Sequence, residues 1–153
     1  MKSDMKSFQL LIIFGFIILL ITACEKYDEG GLVSKASKRL TENGWRLESY
    51  FRNGNDETTQ LMISSFEENF VDGGSLTRSY IDKDGNPFTE NGSWTFDNDK
   101  QQINITGVGS VDLTEETTTV STSDYNIIKL TQGELWYVYE NGSDMHEFHF
   151  VPR

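Results

Sequence analysis

Cysteine is nearly absent from this sequence, because the 153 residues include only one, Cys24. An internal disulfide needs two cysteines, so a folded domain in this chain must be stabilised by packing. Proline is also rare, with 2 residues, whereas aromatic residues make up 12% of the chain. That composition is not typical of a disordered chain and favours a folded domain.

Positive charge is scarce as well. Lys and Arg together number 13 against 24 Asp and Glu, which gives a formal net charge of −11. An acidic surface repels phosphate backbones, so we expect no nucleic-acid partner.

The one long apolar run lies near the N-terminus, where residues 10–21 are apolar apart from Gly15. Lys2 and Lys6 precede this run, and small residues follow it directly before Cys24. The order of basic, apolar and small residues is that of a secretory signal peptide. The run is also shorter than the roughly 20 residues that a spanning helix needs. We therefore predict that residues 1–23 are an export signal that is removed.

Residues 20–24, LITAC, resemble the lipobox that the bacterial lipoprotein signal peptidase cuts. The resemblance implies that Cys24 becomes the first residue of the mature chain and carries diacylglyceryl and N-acyl chains, such as palmitate. Several acyl chains make membrane attachment durable, whereas one chain holds only marginally. We therefore expect a lipid-anchored protein of the cell envelope, in the outer membrane.

Residues 24–31 are predicted to be a lipidated tether. Residues 25–29, EKYDE, resemble the lysine-plus-acidic signal that sends some Bacteroidota lipoproteins to the cell surface. A solvated tether is the alternative interpretation, and the sequence leaves both open. Gly30 and Gly31 are expected to be flexible links to the domain that follows.

Residues 32–153 predict a single all-β domain with one short helix. Residues 32–41 carry apolar side chains at helical spacing and predict a helix that covers one end of the domain. After Gly44, apolar and polar residues alternate, which is typical of strands with one buried face. The predicted strands are residues 45–51, 65–71, 76–81, 92–97, 102–106, 118–121, 125–130, 134–140 and 145–150.

Turn residues separate these strands. Asn141-Gly142 is the strongest hairpin signal, because both central positions of a type I′ turn need a positive φ. Short strands joined by hairpins predict an antiparallel meander, either closed as a barrel or stacked as a sandwich. Closure removes exposed strand edges, so we favour a small barrel of about eight strands.

Several segments resemble those of lipocalin-like lipoproteins of Bacteroidota. They are LTENGWRL at 40–47, GSWTF at 92–96, IKLT at 128–131 with Leu135, and FHFVP at 148–152. The resemblance implies a lipocalin-like barrel and carries no particular ligand with it.

Alternation along a strand also predicts the direction of two further side chains, Tyr50 and Glu68. In the first strand, Tyr50 is expected on the face opposite Trp45. Glu68 alternates with phenylalanines on the face expected to point inward. It could orient a polar group of a ligand, but an unpaired buried carboxylate is costly, so we favour a position at the open mouth in water.

Candidate metal and catalytic motifs fail on geometry. His146 and His149 lie three apart on a predicted strand, so their side chains point to opposite sides and cannot share a metal. Residues 82–87 begin like a calcium loop, but Pro87 and Ser93 stand where that loop needs glycine and glutamate, and a hairpin turn is favoured. The sequence has no nucleophile elbow and no phosphate loop, so we expect no enzyme activity and no cofactor.

Barrels of about eight strands either fill with side chains or hold one small ligand. The aromatic inward set favours a non-catalytic binding module for a small apolar or amphipathic ligand. A packed barrel that contacts an envelope protein partner is the alternative. The candidate ligand-binding residues are Trp45, Phe66, Glu68, Tyr80, Trp94, Tyr137 and Phe148.

Overall fold

The computed structural model describes residues 26–61, 63–97, 99–110, 119–120 and 123–153. The predicted signal peptide 1–23 and Cys24 lie outside the described residues, as do the two ends of the predicted strand 118–121. Within the described ranges, no helix is long and apolar enough to cross a membrane.

The described residues form eleven strands and three short helical segments. The strands are β1 (Gly44–Arg52), β2 (Asn55–Asp56), β3 (Ser64–Val71), β4 (Ser75–Ile81), β5 (Pro87–Phe96), β6 (Gln102–Thr106), β7 (Gly109–Ser110), β8 (Thr119–Val120), β9 (Ser123–Leu130), β10 (Leu135–Asn141) and β11 (Asp144–Pro152). The helical segments are a 3₁₀ turn at Val33–Lys35, the helix α1 at Ala36–Glu42 and a 3₁₀ turn at Thr58–Gln60.

Eight of these strands form one closed antiparallel barrel. They follow the order β1, β3, β4, β5, β6, β9, β10 and β11, and β11 pairs back onto β1 from Trp45↔Pro152 to Arg52↔His146. β2 adds to the end of β1, and β7 pairs with β8 in a separate two-stranded sheet. The predicted closed barrel of eight strands is therefore confirmed.

The two ends of the barrel differ. At one end, here called the helix end, α1 packs where β1 begins and β9 ends. The indole Nε1 of Trp45 donates to the Leu40 carbonyl at 2.8 Å, and Arg39 donates to the Leu130 carbonyl at 3.1 Å. At the opposite end, the loop end, residues 53–63 connect β1 to β3, and the β4–β5 and β10–β11 turns lie there as well. The predicted helix is confirmed at the helix end, since Leu40 is buried one turn after the buried Ala36.

Aromatic side chains fill the interior near the helix end. Trp94 Nε1 donates to the Val71 carbonyl at 3.1 Å, and its ring meets Phe70 edge to face at 5.8 Å. Fully buried rings contribute a large apolar area, and edge-to-face pairs add about 0.5–1.5 kcal/mol each. This half of the barrel is therefore a packed core, and packing of this kind stabilises a domain that has no internal disulfide.

A β-bulge in β1 overturns one face assignment. Leu47 pairs with Phe150, but the next pair is Ser49↔His149, so Glu48 is an extra residue. A bulge exchanges the two faces for the rest of the strand. Tyr50 is therefore fully buried, and the expectation that it points away from the face of Trp45 is wrong.

Hairpins form at both predicted turns, but the expectation that Asn141 and Gly142 are the two central residues of the β10–β11 turn is wrong. Asn141 pairs with Asp144, so the central positions are Gly142 and Ser143, and only Gly142 has a positive φ, of 63°. In the β4–β5 turn, Oδ1 of Asp82 accepts the backbone N–H of Asn86 at 2.7 Å. Its hydrogen bonds with the Asn86 side chain and backbone lower the pKa of Asp82.

The residues just before α1 pack on the barrel. Tyr27 is 2% exposed, and its hydroxyl donates to the Lys100 carbonyl at 2.7 Å. The N–H of Leu130 donates to the Gly30 carbonyl at 3.0 Å, and a Cβ added at Gly31 would collide with the Leu130 carbonyl. The expectation that Gly30 and Gly31 are flexible links is therefore wrong, because Gly30 pairs with β9 through its backbone and Gly31 allows close contact with Leu130.

Candidate functional site

A buried ionic cluster joins three strands inside the barrel. Oε1 of Glu68 on β3 accepts Nε and Nη2 of Arg78 on β4, at 2.9 and 2.6 Å. Oε2 of Glu68 accepts the hydroxyl of Tyr137 on β10 at 3.0 Å. Nη1 of Arg78 donates to the Gly109 carbonyl. Each of the three side chains is therefore bonded within the cluster.

The surroundings of Arg78 and Tyr137 raise the pKa of both groups. Burial by itself lowers the pKa of Arg78, but the charges of Glu68, Tyr125 and Tyr137, together with the hydrogen bonds to Glu68, hold this pKa above its ordinary value. Burial raises the pKa of Tyr137 well above its usual range, and the charge of Glu68 raises it further. The guanidinium thus stays charged and the phenol stays a donor.

The position expected for Glu68, at the mouth in water, is wrong. Glu68 is only 1% exposed. The β3–β4 register places Arg78 directly opposite it. A buried carboxylate is tolerated where an opposite charge and hydrogen bonds satisfy it. Sequence reasoning missed Arg78, although its alternation with Leu76 marks it as inward-facing.

The two histidines lie on opposite sides of the barrel wall, which confirms the prediction from their spacing. Nδ1 of His146 lies 2.7 Å from the hydroxyl of Tyr50 in the interior. His149 lies on the outer face and stacks on Trp136 with ring centroids 3.9 Å apart. Within the part of the chain that the structure describes, no three His, Cys, Asp or Glu side chains could share a metal ion.

An aromatic group lies at the loop end on the inward-facing register, and we call Phe66, Tyr80 and Phe88 the aromatic rim. Tyr80 and Phe88 are opposite each other on β4 and β5, with stacked rings 5.5 Å apart. The ring of Phe66 also stacks with that of Tyr80, with ring centroids 6.3 Å apart. Phe88 is 45% exposed, so the rim presents apolar surface to solvent.

Glu90 lies between the aromatic rim and the ionic cluster, opposite Arg78. Its Oε1 accepts a long bond of 3.4 Å from the Gly109 N–H, and its Oε2 is buried with no hydrogen-bond partner among the residues that the structure describes. Burial and then the charge of Glu90 raise the pKa of Tyr80. A buried unsatisfied acceptor costs about 1–3 kcal/mol, so a donor that reached it would be stabilised.

Sequence reasoning also missed Phe88 and Glu90. The predicted strand began at residue 92, whereas β5 begins at Pro87. Counting back by twos from Trp94 places both residues on the inward face. The signal was present, but the turn residues before Asn91 obscured it.

The seven candidate residues fall into four places. Trp45 and Trp94 belong to the packed helix end, and Phe148 packs in the core between Tyr50 and Tyr137, with ring centroids at 5.3 and 5.2 Å. Glu68 and Tyr137 belong to the ionic cluster. Only Phe66 and Tyr80 lie in the aromatic rim.

A pocket of about 440 Å³ lies on the outer wall near the helix end. Outward-facing polar residues of β3 and β4 line it, among them Glu67, Asn69 and Thr77. Arg153 lies across it and donates to Glu67 at 3.0 Å, in a pair whose arginine is 70% exposed. Exposed ion pairs of this kind contribute little, and the polar lining offers an apolar ligand no burial.

Three solved structures are similar to this chain in fold. A lipocalin-like protein from Bacteroides uniformis ATCC 8492 aligns with a TM-score of 0.54 and 18% identity, over 75% of this chain and 99% of the other. An uncharacterized protein from Bacteroides eggerthii DSM 20697 aligns with a TM-score of 0.53 and 15% identity, over 72% and 98%. Lobster apocrustacyanin A1 aligns with a TM-score of 0.49 and 15% identity, over 84% and 71%.

No protein-family model and no curated protein matches the sequence. The first two structures are shorter than this chain and are covered almost completely by it. At these identities the likeness concerns the fold alone. The chain forms a lipocalin-like, eight-stranded antiparallel β-barrel.

Proposed function

We propose that the protein is a lipid-anchored lipoprotein of the outer membrane, whose barrel binds a small amphipathic ligand at its loop end without catalysis. The observation that carries the binding proposal is the aromatic rim, where Phe88 is 45% exposed on the inward-facing register. An exposed ring beside other inward rings gains free energy when an apolar group covers it, at about 25 cal/mol per Å².

The polar groups below the rim support an amphipathic ligand over a purely apolar one. Within the described part of the chain, Oε2 of Glu90 is an acceptor without a donor beside Tyr80, whereas both oxygens of Glu68 already accept hydrogen bonds from Arg78 and Tyr137. A ligand with an apolar body and a hydrogen-bond donor at its tip would satisfy both features. Ligand sites in proteins commonly combine an apolar lining with few polar groups in this way.

The anchoring proposal rests on the sequence. Cys24 follows a basic and then apolar segment at the position of a lipobox cysteine. With no second cysteine in the chain, Cys24 has no disulfide partner within it. Lipidation gives this solitary thiol a role.

Two matched variants test ligand binding at the rim. Phe88→Ser removes a ring that is 45% exposed at the loop end, and Val71→Ser removes an equally exposed side chain, at 44%, from the outer face near the helix end. We expect a long-chain alkylamine, measured by displacement of Nile red, to bind the parent and Val71→Ser alike. Phe88→Ser should weaken binding about tenfold, because it loses roughly 1.5 kcal/mol of apolar contact.

Glu90→Gln separates the polar contribution. This variant should weaken binding of the alkylamine more than binding of an uncharged alkane of equal length, because only the amine donates a hydrogen bond to Oε2. Equal affinity of the parent and Phe88→Ser for the probe would refute a rim site.

Native mass spectrometry of the intact protein, extracted in mild detergent, would show a small bound mass if the natural ligand co-purifies. A clean apo mass together with no probe binding would favour the packed barrel with a protein partner.

A further inference from the structure

The segment that follows the predicted lipidation site is an integral part of the barrel. The hydroxyl of Tyr27 donates at 2.7 Å to Lys100, in the β5–β6 turn at the helix end. The N–H of Glu29 donates to the Ile128 carbonyl at 2.8 Å, and the N–H of Leu130 donates to Gly30 at 3.0 Å. A buried aromatic ring and backbone bonds to β9 oppose local opening of this segment.

The distance from Cys24 to this docked segment is short. From Cys24 to Tyr27 the chain advances three residues, which span at most about 10 Å when fully extended. β11 has 9 residues. With the usual rise and tilt of barrel strands, the barrel is roughly 20 Å high. An acylated Cys24 would therefore hold the helix end within reach of the membrane and leave the loop end beyond it.

The charges of the two ends do not decide the orientation. The helix end carries exposed charged side chains of both signs, among them Lys26, Lys35, Lys38, Glu42, Asp72 and Asp99. The loop end also carries both signs, with Lys83 beside Asp84 in the β4–β5 turn. The short length of chain between Cys24 and the docked segment is therefore the feature that sets the orientation.

We infer that the barrel is held with its helix end against the lipid surface and its loop end facing away. This inference rests on the lipidation of Cys24 proposed above. The aromatic rim then opens toward the aqueous phase, about 20 Å from the headgroups. A ligand would accordingly be captured from the aqueous side, and not drawn directly from the bilayer beneath the barrel.

Contact quenching in vesicles tests the orientation. The full-length protein, processed in cells and reconstituted into phosphatidylethanolamine–phosphatidylglycerol vesicles, receives one new thiol for a fluorophore, through Lys35→Cys at the helix end or Asp84→Cys at the loop end. A lipid with a nitroxide on its headgroup is the quencher. We expect several-fold stronger quenching of the dye at residue 35 than at residue 84. Equal quenching in vesicle-bound protein would overturn the inferred orientation.

A matched control tests the short linkage. A flexible Gly-Ser insertion of about 12 residues between Glu25 and Lys26 keeps the docked segment intact but frees the barrel from the anchor. The difference in quenching between the two positions should then disappear, and a difference that persisted would refute the linkage argument. A chain that does not float with the vesicles would overturn the proposed lipidation, and this inference with it.

Discussion

Removing one member of the buried ionic cluster should destabilise the barrel more than removing both charged members together. Arg78→Met leaves the carboxylate of Glu68 buried without its counter-charge, since Glu68 is 1% exposed. Breaking a buried pair in this way costs about 3–5 kcal/mol. That is a large part of a typical domain stability of about 5–15 kcal/mol.

The double variant Glu68→Leu/Arg78→Met should lose less than either single variant. It removes both charges and keeps similar volumes, which is often neutral or stabilising for a buried pair. The Tyr137 hydroxyl and the Gly109 carbonyl then lose their partners, so we expect a loss of about 1–3 kcal/mol. Tyr137→Phe is the mild control, because it removes one bond to a charged acceptor, worth about 1.5–3 kcal/mol.

Urea unfolding of the full chain in mild detergent, followed by tryptophan fluorescence, gives these free energies. The chain has 3 tryptophans, and two of them, Trp45 and Trp94, are buried near the helix end. The coupling energy from the double-mutant cycle should be several kcal/mol. A loss below about 1 kcal/mol in Arg78→Met, or a double variant equal to the sum of the singles, would refute the coupled cluster.

Three further predictions follow from local geometry. Gly31→Ala should lower the free energy of urea unfolding by about 1–3 kcal/mol, because the φ of Gly31 is +106° and Leu130 blocks a Cβ. Gly133→Ala, with open space around it, should change this free energy by less than about 0.5 kcal/mol, and equal effects of the two variants would contradict the docked segment. Asn86→Ala should raise the lowered pKa of Asp82, measured by a carboxyl NMR titration, and an unchanged titration would disprove the turn hydrogen bonds. Because the pKa of Asp82 is lower in the folded state, its ionised form stabilises the fold at pH values above the unfolded-state pKa. The parent should lose this stabilisation as the pH falls through the folded-state pKa. Cys24→Ser should abolish metabolic labelling with an alkynyl palmitate, and labelling that persisted would rule out the proposed anchor.

The turn and core pattern of the domain could be predicted from local sequence. The β6 segment from Gln102 to Thr106 matches its prediction at both ends, because alternation and flanking turns coincide there. The first strand was assigned correctly only up to Glu48, where a bulge adds one residue. No local pattern marks this bulge, since the pairing with β11, about a hundred residues later, creates it.

The docked segment shows the same limit. Gly30 and Gly31 are typical of a flexible linker when only composition is considered. Their role in the folded protein depends on β9, which lies almost a hundred residues away in the chain. The steric need for a residue without Cβ becomes visible only when both segments are placed together.

Local sequence patterns predict the class of fold, the helix at one end of the barrel, the opposite faces of the two histidines and the inward direction of Glu68. Each of these follows from periodicity, which is a property of neighbouring residues. Three features become visible only in the folded barrel: Glu68 is paired with Arg78 and Tyr137, Tyr50 is buried, and Phe88 and Glu90 lie toward the loop end. Those facts depend on strand register and barrel closure, which bring together residues that the chain keeps far apart.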